Sequence, residues 1–471
     1  MWDPNQYLIA IDLFFRLIGV IYFFAFFPFT YQIKGLLGSN GILPVNRYLE
    51  AIKRLYGRKA YKLVPTLFWL NSSDQCLVLT MWAGVIASLL LALGIGTPIM
   101  ILLLYLLHLS LVSVGQDFLG FGWELYLLEI TCNSFFLSLT AQPNVFIWIS
   151  LNILLFRFHF QGGAVKLQSH DVNWRNLTAV GFHYQSQPIP NTLAWFAYKL
   201  PISINKFSTV LMFIIELIIP FGIFGPEWMR MITFIFFAGL QLMIWATGNF
   251  SYLNHLTLAF TTILVGNTYL GYLFAAPSPP EAPYLAIDIF LSCIGIFLIT
   301  FQLLNFWESM LQWSNKFIRK IEKMISPFHI INRYGIFAVM TTQRIEIVIE
   351  GSLDGIVWQE YIFKYKPSEI NYRPRRNSPI QPRLDWQMWF LPFSNYYNNI
   401  WFQNFLALLL KGEKDVVALV RKAPFGDTPP RYIRAIAYDY EFSDWNALKS
   451  KGEWWKRKYA GIYSPTLTLK R

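Results

Sequence analysis

"CLVLTMWAGVIASLLLALGIGTPIMILLLYLLHLSLVSV", residues Cys76–Val114, contains no Asp, Glu, Lys or Arg in 39 positions. Two apolar runs meet at "GIGTP", and each is close to the ~20 residues that cross a bilayer as one helix. Gly and Pro between them are turn punctuation, so the stretch reads as two spans, 76–94 and 97–114, in a tight hairpin. Working outward, similar runs lie near 8–30, 122–140, 144–160, 207–225, 229–247, 251–274 and 284–306. The expectation is a polytopic α-helical membrane protein with about nine transmembrane helices. The first run is too long for a signal peptide and lacks a basic leader, so it reads as the first of them. Nine spans would gather the loops 31–75, 115–121, 160–206 and 248–254 on one face, together with the C-terminal region. The helical pattern from Ala51 to Leu70 in the first of these loops is expected at the membrane interface.

Composition agrees. Of 471 residues 55% are hydrophobic and only 14% charged, against about 25% charge in soluble domains. Residues 1–306 carry 14 Lys/Arg and 12 Asp/Glu, and 307–471 carry 25 and 15, so ten of the twelve net positive charges lie in the last third. Following hydrophobic spans, such a basic region suits anionic membrane lipids or an acidic partner rather than nucleic acid. Three cysteines are too few for a disulfide framework. No HExxH, CxxC or paired-histidine spacing occurs, and no nucleotide motif, so neither a metal nor a cofactor is expected.

Ionisable residues inside apolar spans are costly and point to function or to internal pairing. Asp12 and Arg16, one turn apart, are expected to pair. Glu124 and Glu129 lie about 140° apart around a helix and cannot share one ligand as a carboxylate pair. Glu129 and Arg157 read with Asp12 and Arg16 as structural ion pairs. Glu216, in "FIIELIIPF", needs a cation, and Arg157 or Lys166 is the candidate. A polar cavity holding Glu124, Lys166 and Glu216 as catalytic candidates is the sharper alternative, because a desolvated lysine can serve as a base.

After a juxtamembrane helix or linker at 307–329 the pattern changes. "RIEIVIEGSLDGIVWQEYIFKY" alternates and turns at "SLDG", a hairpin signal. "RYIRAIAYDYEFS" reads as a strand, and "NNIWFQNFLALLLKG" as an amphipathic helix stopped by glycine. Domains are therefore placed at 1–306 (transmembrane) and 330–471 (mainly β, one helical excursion). "RLDWQMWF" and "KGEWWKRKYAGIY" are either core or a binding surface.

The chain resembles the lipase maturation factor family in "GILPV", "PTLFWL", "SLVSVGQDFLGFGWELYLLE", "FRFHFQGGAVKL", "WRNLTAVGFHYQSQPIPN", "GNFSYLNHLT", "RYGIFAVMTTQRIEIVIEG", "PFGDTPPRYIRAIAYDYEFS" and "GEWWKRKYAGIYSP". The resemblance implies a maturation factor of the endoplasmic reticulum membrane that helps secreted lipases fold and assemble, without chemical turnover. It implies a lumenal C-terminal domain that holds the client, with Trp386, Trp389, Trp454, Trp455 and Arg457 as client-binding candidates. In a bacterial homologue that domain would be periplasmic, on an inner membrane. Loop 31–75, with seven Lys/Arg against two acids, argues the opposite orientation by the positive-inside rule. The membrane part, through "GGAVKL", is also distantly similar to the vitamin K-dependent gamma-carboxylase. That similarity implies Lys166 as a base in a membrane enzyme with a lipid or quinone pocket. The stretch 160–191, with "HYQSQPIPN" at its end, is expected to be a re-entrant or surface loop that docks the β domain.

Overall fold

The computed structural model describes residues 3–275, 280–312, 315–335, 337–426 and 428–469. Seven of the described helices are long and apolar enough to cross a membrane. They contain α1 (Leu8–Phe26), α2 (Asp74–Ala92), α3 (Thr97–Val114), α5 (Val145–Gln168), α7 (Ile202–Leu217), α8 (Glu227–Thr247) and α10 (Leu285–Leu311). The remaining two expected spans are shorter. Helix α4 (Gly122–Leu137) has 16 residues and is buried on most sides, Glu124, Glu129, Thr131, Asn133 and Ser134 included. The run 251–274 breaks after α9 (Leu253–Thr261) into a 3-10 turn and a four-residue helix, Asn267–Leu270, at the Gly266–Asn267 pair. Hydropathy counts apolar residues, but it does not register where the backbone stops being helical.

The turn between α2 and α3 is made by glycine. Gly94 and Gly96 have φ of +78° and +61°, a left-handed conformation that costs glycine little. Thr97–Pro98 then starts α3 with proline in its first turn, where the missing N–H is no loss. Asp12 and Arg16 pair at 2.8 Å beside this turn. Arg16 Nη1 also donates to the Leu93 carbonyl at 3.0 Å, so the cation sits at the carbonyl end of α2, where the helix dipole favours it.

Helix α5 runs eight residues past the expected end at 160, to Gln168, so "GGAVKL" is helical. Gly163 is required there: a Cβ would lie 2.9 Å from Glu216 Cβ and from Leu217, so only glycine lets α5 and α7 approach this closely. The rest of the 160–206 segment, expected in part as a re-entrant or surface loop, contains α6 (Ala179–Ser186) and a Thr192–Tyr198 helix. The expected interfacial helix begins earlier, at Val45, and ends at Tyr56, where Gly57 has a φ of +56°.

The C-terminal domain is organised by a four-stranded antiparallel sheet in the order β2-β1-β3-β4. Its strands are β1 (Ile345–Ser352), β2 (Gln359–Glu360), β3 (Tyr432–Phe442) and β4 (Trp455–Thr468). The β1–β2 hairpin turns where Asp354 accepts the N–H groups of Ile356 and Val357. Helix α11 (Ile400–Lys411) ends at Gly412, φ +68°, and buries Trp401, Phe402, Phe405, Leu406, Leu409 and Leu410. The domain is more helical than the single excursion expected, with further helices at Arg383–Met388 and Trp445–Lys451. One continuous apolar core runs from Tyr7 and Phe14 through Trp148 to Trp386, Phe402 and Ala435. The membrane and C-terminal parts thus share a core, and burial of apolar side chains across the seam holds them together.

Candidate functional site

Helix α4 presents its two carboxylates in different directions, as their spacing demands, and each receives a piece of the C-terminal domain. Glu124 is fully buried, with Oε1 2.8 Å from Arg383 Nη1 and Oε2 3.1 Å from His108 Nε2. Tyr252 donates its hydroxyl to Oε2 at 2.5 Å. Arg383 also donates to the Phe118 carbonyl, and its guanidinium lies 4.6 Å from the Phe29 ring centre.

Glu129 meets Arg157 Nη1 at 2.9 Å. Its other oxygen accepts the Asn332 backbone N–H at 2.7 Å, the Asn332 amide at 3.0 Å and the Tyr334 hydroxyl at 2.5 Å. Arg157 continues the network, donating to Gln302, Asn305 and the Asn332 carbonyl. A buried charge is tolerated only when its lone pairs and protons are satisfied in this way.

Lys166, not Arg157, is the partner of Glu216: Nζ donates to Oε2 at 2.5 Å. The ammonium also lies 5.4 Å from the Trp174 ring centre. This pair forms part of the wall of a cavity of about 640 Å³ between α5, α6, α7, α8 and α9, roofed by Arg333, Tyr334, Gly335, Phe337 and Met340 at the start of the C-terminal domain. Glu124 does not line it, so the three catalytic candidates are not brought together. Lys166 and Glu216 share the cavity, while Glu124 is engaged by Arg383.

The stretch after α5 is the joint between the two parts. Arg344 donates to the carbonyls of Gln185, Gln187 and Pro188, and the Phe442 N–H donates to Gln185 Oε1. Trp389 Nε1 donates to the Ser186 carbonyl at 2.8 Å. The candidate client-binding aromatics divide here. Trp386 is 3% exposed, packed edge-on to Phe121 and Trp123, and Trp455 is 1% exposed against Phe442 and beneath Arg344. Neither offers its ring to a partner at the surface. Trp389 and Trp454 are half-buried, and Arg457 is exposed and paired with Glu360 at 2.8 Å.

A family model described as "Lipase maturation factor transmembrane domain" matches residues 9–271, and one described as "Lipase maturation factor C-terminal domain" matches 330–465. The chain belongs to the lipase maturation factor family. Lipase maturation factor 1 of Mus musculus is 31% identical over 504 residues, spanning 96% of this chain and 86% of that protein. Lipase maturation factor 2 of Gallus gallus is 30% identical over 587 residues, spanning 97% of this chain and 81% of that protein. Lipase maturation factor 1 of Homo sapiens is 29% identical over 503 residues. No solved structure matches. The chain is an integral membrane protein with a C-terminal domain, and the seam described above joins the two family regions: Glu124 and Glu129 lie in the first, Arg383 and Tyr334 in the second.

Sequence reasoning did not select His108, Tyr252, Asn332, Tyr334 or Arg383. Arg383 stands inside "RLDWQMWF", where the tryptophans are the stronger local signal. A lone cation ahead of buried aromatics is the signal that could have found it.

Proposed function

We propose that this chain is a membrane-bound maturation factor for secreted lipases, acting by holding the client on its C-terminal domain without chemical turnover. The observation that carries this reading is the match to proteins named lipase maturation factor over 96% of the chain, through both parts. In this proposal the C-terminal domain lies in the lumen of the endoplasmic reticulum, or in the periplasm of a bacterial homologue. The client surface is the outer strand β4, which has β3 as its one partner among the described residues. Tyr459 and Ile462 stand out from it at 59% and 71% exposure. An open edge accepts an extended segment of another chain through main-chain hydrogen bonds. Trp454 immediately precedes this strand and Arg457 lies on it, with Trp455 buried at its start, whereas Trp389 and Trp386 pack elsewhere, on Ser186 and on Trp123.

The enzymatic alternative, Lys166 as a base by likeness to the gamma-carboxylase, requires the lysine to leave a 2.5 Å ion pair with Glu216. No second observation in the cavity favours it. The test is secretion of active lipase from cells lacking their own maturation factor, rescued by this chain, by Ile462→Asp and by Lys166→Ala at matched membrane expression. The proposal expects rescue by the parent and by Lys166→Ala, and loss with Ile462→Asp. Failure of Lys166→Ala in a well-folded protein would shift the reading to chemistry in the membrane.

A further inference from the structure

The 640 Å³ cavity lies against the seam, with Trp123 and Tyr334 in its wall, and none of the residues of the proposed client strand lines it. Its volume lies within the range of small-molecule sites, and its lining is mostly apolar with a few convergent polar groups, as such sites are built. Along α7 the lining residues Ile204, Ser208, Met212 and Glu216 recur every fourth residue, a single helical stripe about 18 Å long. The outer end of that stripe is open to the surroundings of the membrane helices. Leu200, Ile204 and Met243 line the cavity and are exposed by 43%, 43% and 52%. A mouth of exposed apolar residues on and beside helices long enough to cross a bilayer faces lipid rather than water.

The inner end is polar and has unused hydrogen-bonding capacity. His159 is 3% exposed and stacks on Phe237 at 3.6 Å. Its Nδ1 contacts the Leu155 carbonyl at 3.0 Å, so Nδ1 carries the hydrogen. In the neutral ring this leaves Nε2 an acceptor, and among the described residues it has no partner. Asn254, also 3% exposed, donates to Gln241 Oε1 at 2.8 Å, while its own Oδ1 meets no donor. Buried acceptors without a donor are rare and call for an occupant. The charges are balanced: Lys166 is neutralised by Glu216, and Arg333 at the roof is paired with Glu308 and Glu322. An anionic head group would therefore meet no free cation among the described lining residues, and burying its charge would be costly.

We propose that this cavity is a binding site for a neutral, single-chain, hydroxyl-bearing lipid of the monoacylglycerol class, drawn from the bilayer. The head-group hydroxyls donate to His159 Nε2 and Asn254 Oδ1, and the acyl chain runs along the Ile204–Glu216 stripe to the mouth. Bound lipid would pack beneath Tyr334 and Phe337, directly under the C-terminal domain.

The test uses the full chain in nanodiscs and a photoactivatable diazirine monoacylglycerol, with crosslinks mapped by mass spectrometry. Labelling is expected within residues 200–216 and 240–254, and unlabelled 1-oleoylglycerol should compete at least tenfold better than oleic acid or 1-oleoyl lysophosphatidylglycerol. Ser208→Trp, which fills the tube, and Met243→Trp, which narrows a mouth already exposed to lipid, should each cut labelling at least tenfold. His159→Phe with Asn254→Leu keeps the ring stack and removes both acceptors, and should abolish the preference for the neutral head. Labelling elsewhere, or labelling that persists in a folded Met243→Trp protein, would overturn the site. Equal or better competition by oleic acid or the lysophospholipid would overturn the ligand class.

Discussion

Arg383, on the C-terminal domain, places Nη1 2.8 Å from Oε1 of Glu124, a residue of the membrane bundle 259 positions earlier, and both side chains are buried. With the Tyr334–Glu129 hydrogen bond at 2.5 Å, it fastens the C-terminal domain to α4, beside the joint at 185–188.

Truncating one partner of such a pair leaves the other charged and buried. Arg383→Ala is expected to destabilise the protein by about 3–5 kcal/mol, and Arg383→Met with Glu124→Met to recover much of that loss. Thermal unfolding in detergent of the single and double variants checks this. A double variant no better than Arg383→Ala would contradict the buried-charge argument.

Tyr334→Phe removes one hydrogen bond to the Glu129 carboxylate and little volume. A loss of about 1.5–3 kcal/mol is expected. Limited proteolysis of the 307–344 connection should accelerate in the variant, because the start of the C-terminal domain loses its anchor.

Gly163→Leu forces side-chain atoms into Glu216 and Leu217. Overpacking should cost about 1–3 kcal/mol or more, and moving α7 away should also break the Lys166–Glu216 pair. A melting temperature unchanged from the parent would count against the close α5–α7 contact.

Trp386→Ala empties a buried site in the seam and should cost about 3–5 kcal/mol. Ile462→Asp, on the exposed face of β4, should change stability by no more than about 0.5 kcal/mol. Under the proposed function it should still abolish rescue of lipase secretion. Rescue by Ile462→Asp at normal expression would move the client surface away from β4.

Asp444 caps the Trp445–Lys451 helix, accepting the Ala447 N–H at 2.9 Å and pairing with Lys456 at 2.6 Å. The hydrogen bond from Lys456, then the cap, hold its carboxyl down at about 2, against an ordinary 3.8. A depressed value in the folded state means that the contribution is present above the ordinary value and is lost as pH falls through the folded one. Amide protection of residues 445–451 should therefore drop between pH 4 and about pH 2 in the parent. In Asp444→Asn it should vary less over the same window. Equal pH profiles in the two proteins would contradict the assignment.

The spans, the β1–β2 turn at "SLDG", the strand at 432–442 and the glycine-stopped helix at 400–411 were legible because each is written in local periodicity and turn residues. The Asp12–Arg16 pair was legible for the same reason, being one turn apart. Helix α4 was less so: its polar residues are satisfied by partners distant in the chain, and its 16 residues fall short of a full span. The extension of α5 through "GGAVKL" was hidden because two glycines argue locally against helix. The close approach of α7 explains Gly163.

From its sequence alone the protein is bound to be an integral membrane protein with a basic, aromatic C-terminal domain. Unbroken apolar runs have no stable alternative to spanning helices, and the motif order carries the family likeness. Tertiary structure decided which cation meets which carboxylate, that Trp386 and Trp455 are core, and that a mostly apolar cavity lies beneath the start of the C-terminal domain. These depend on contacts between residues tens to hundreds of positions apart. Several cations could satisfy each acid, and packing geometry selects among them.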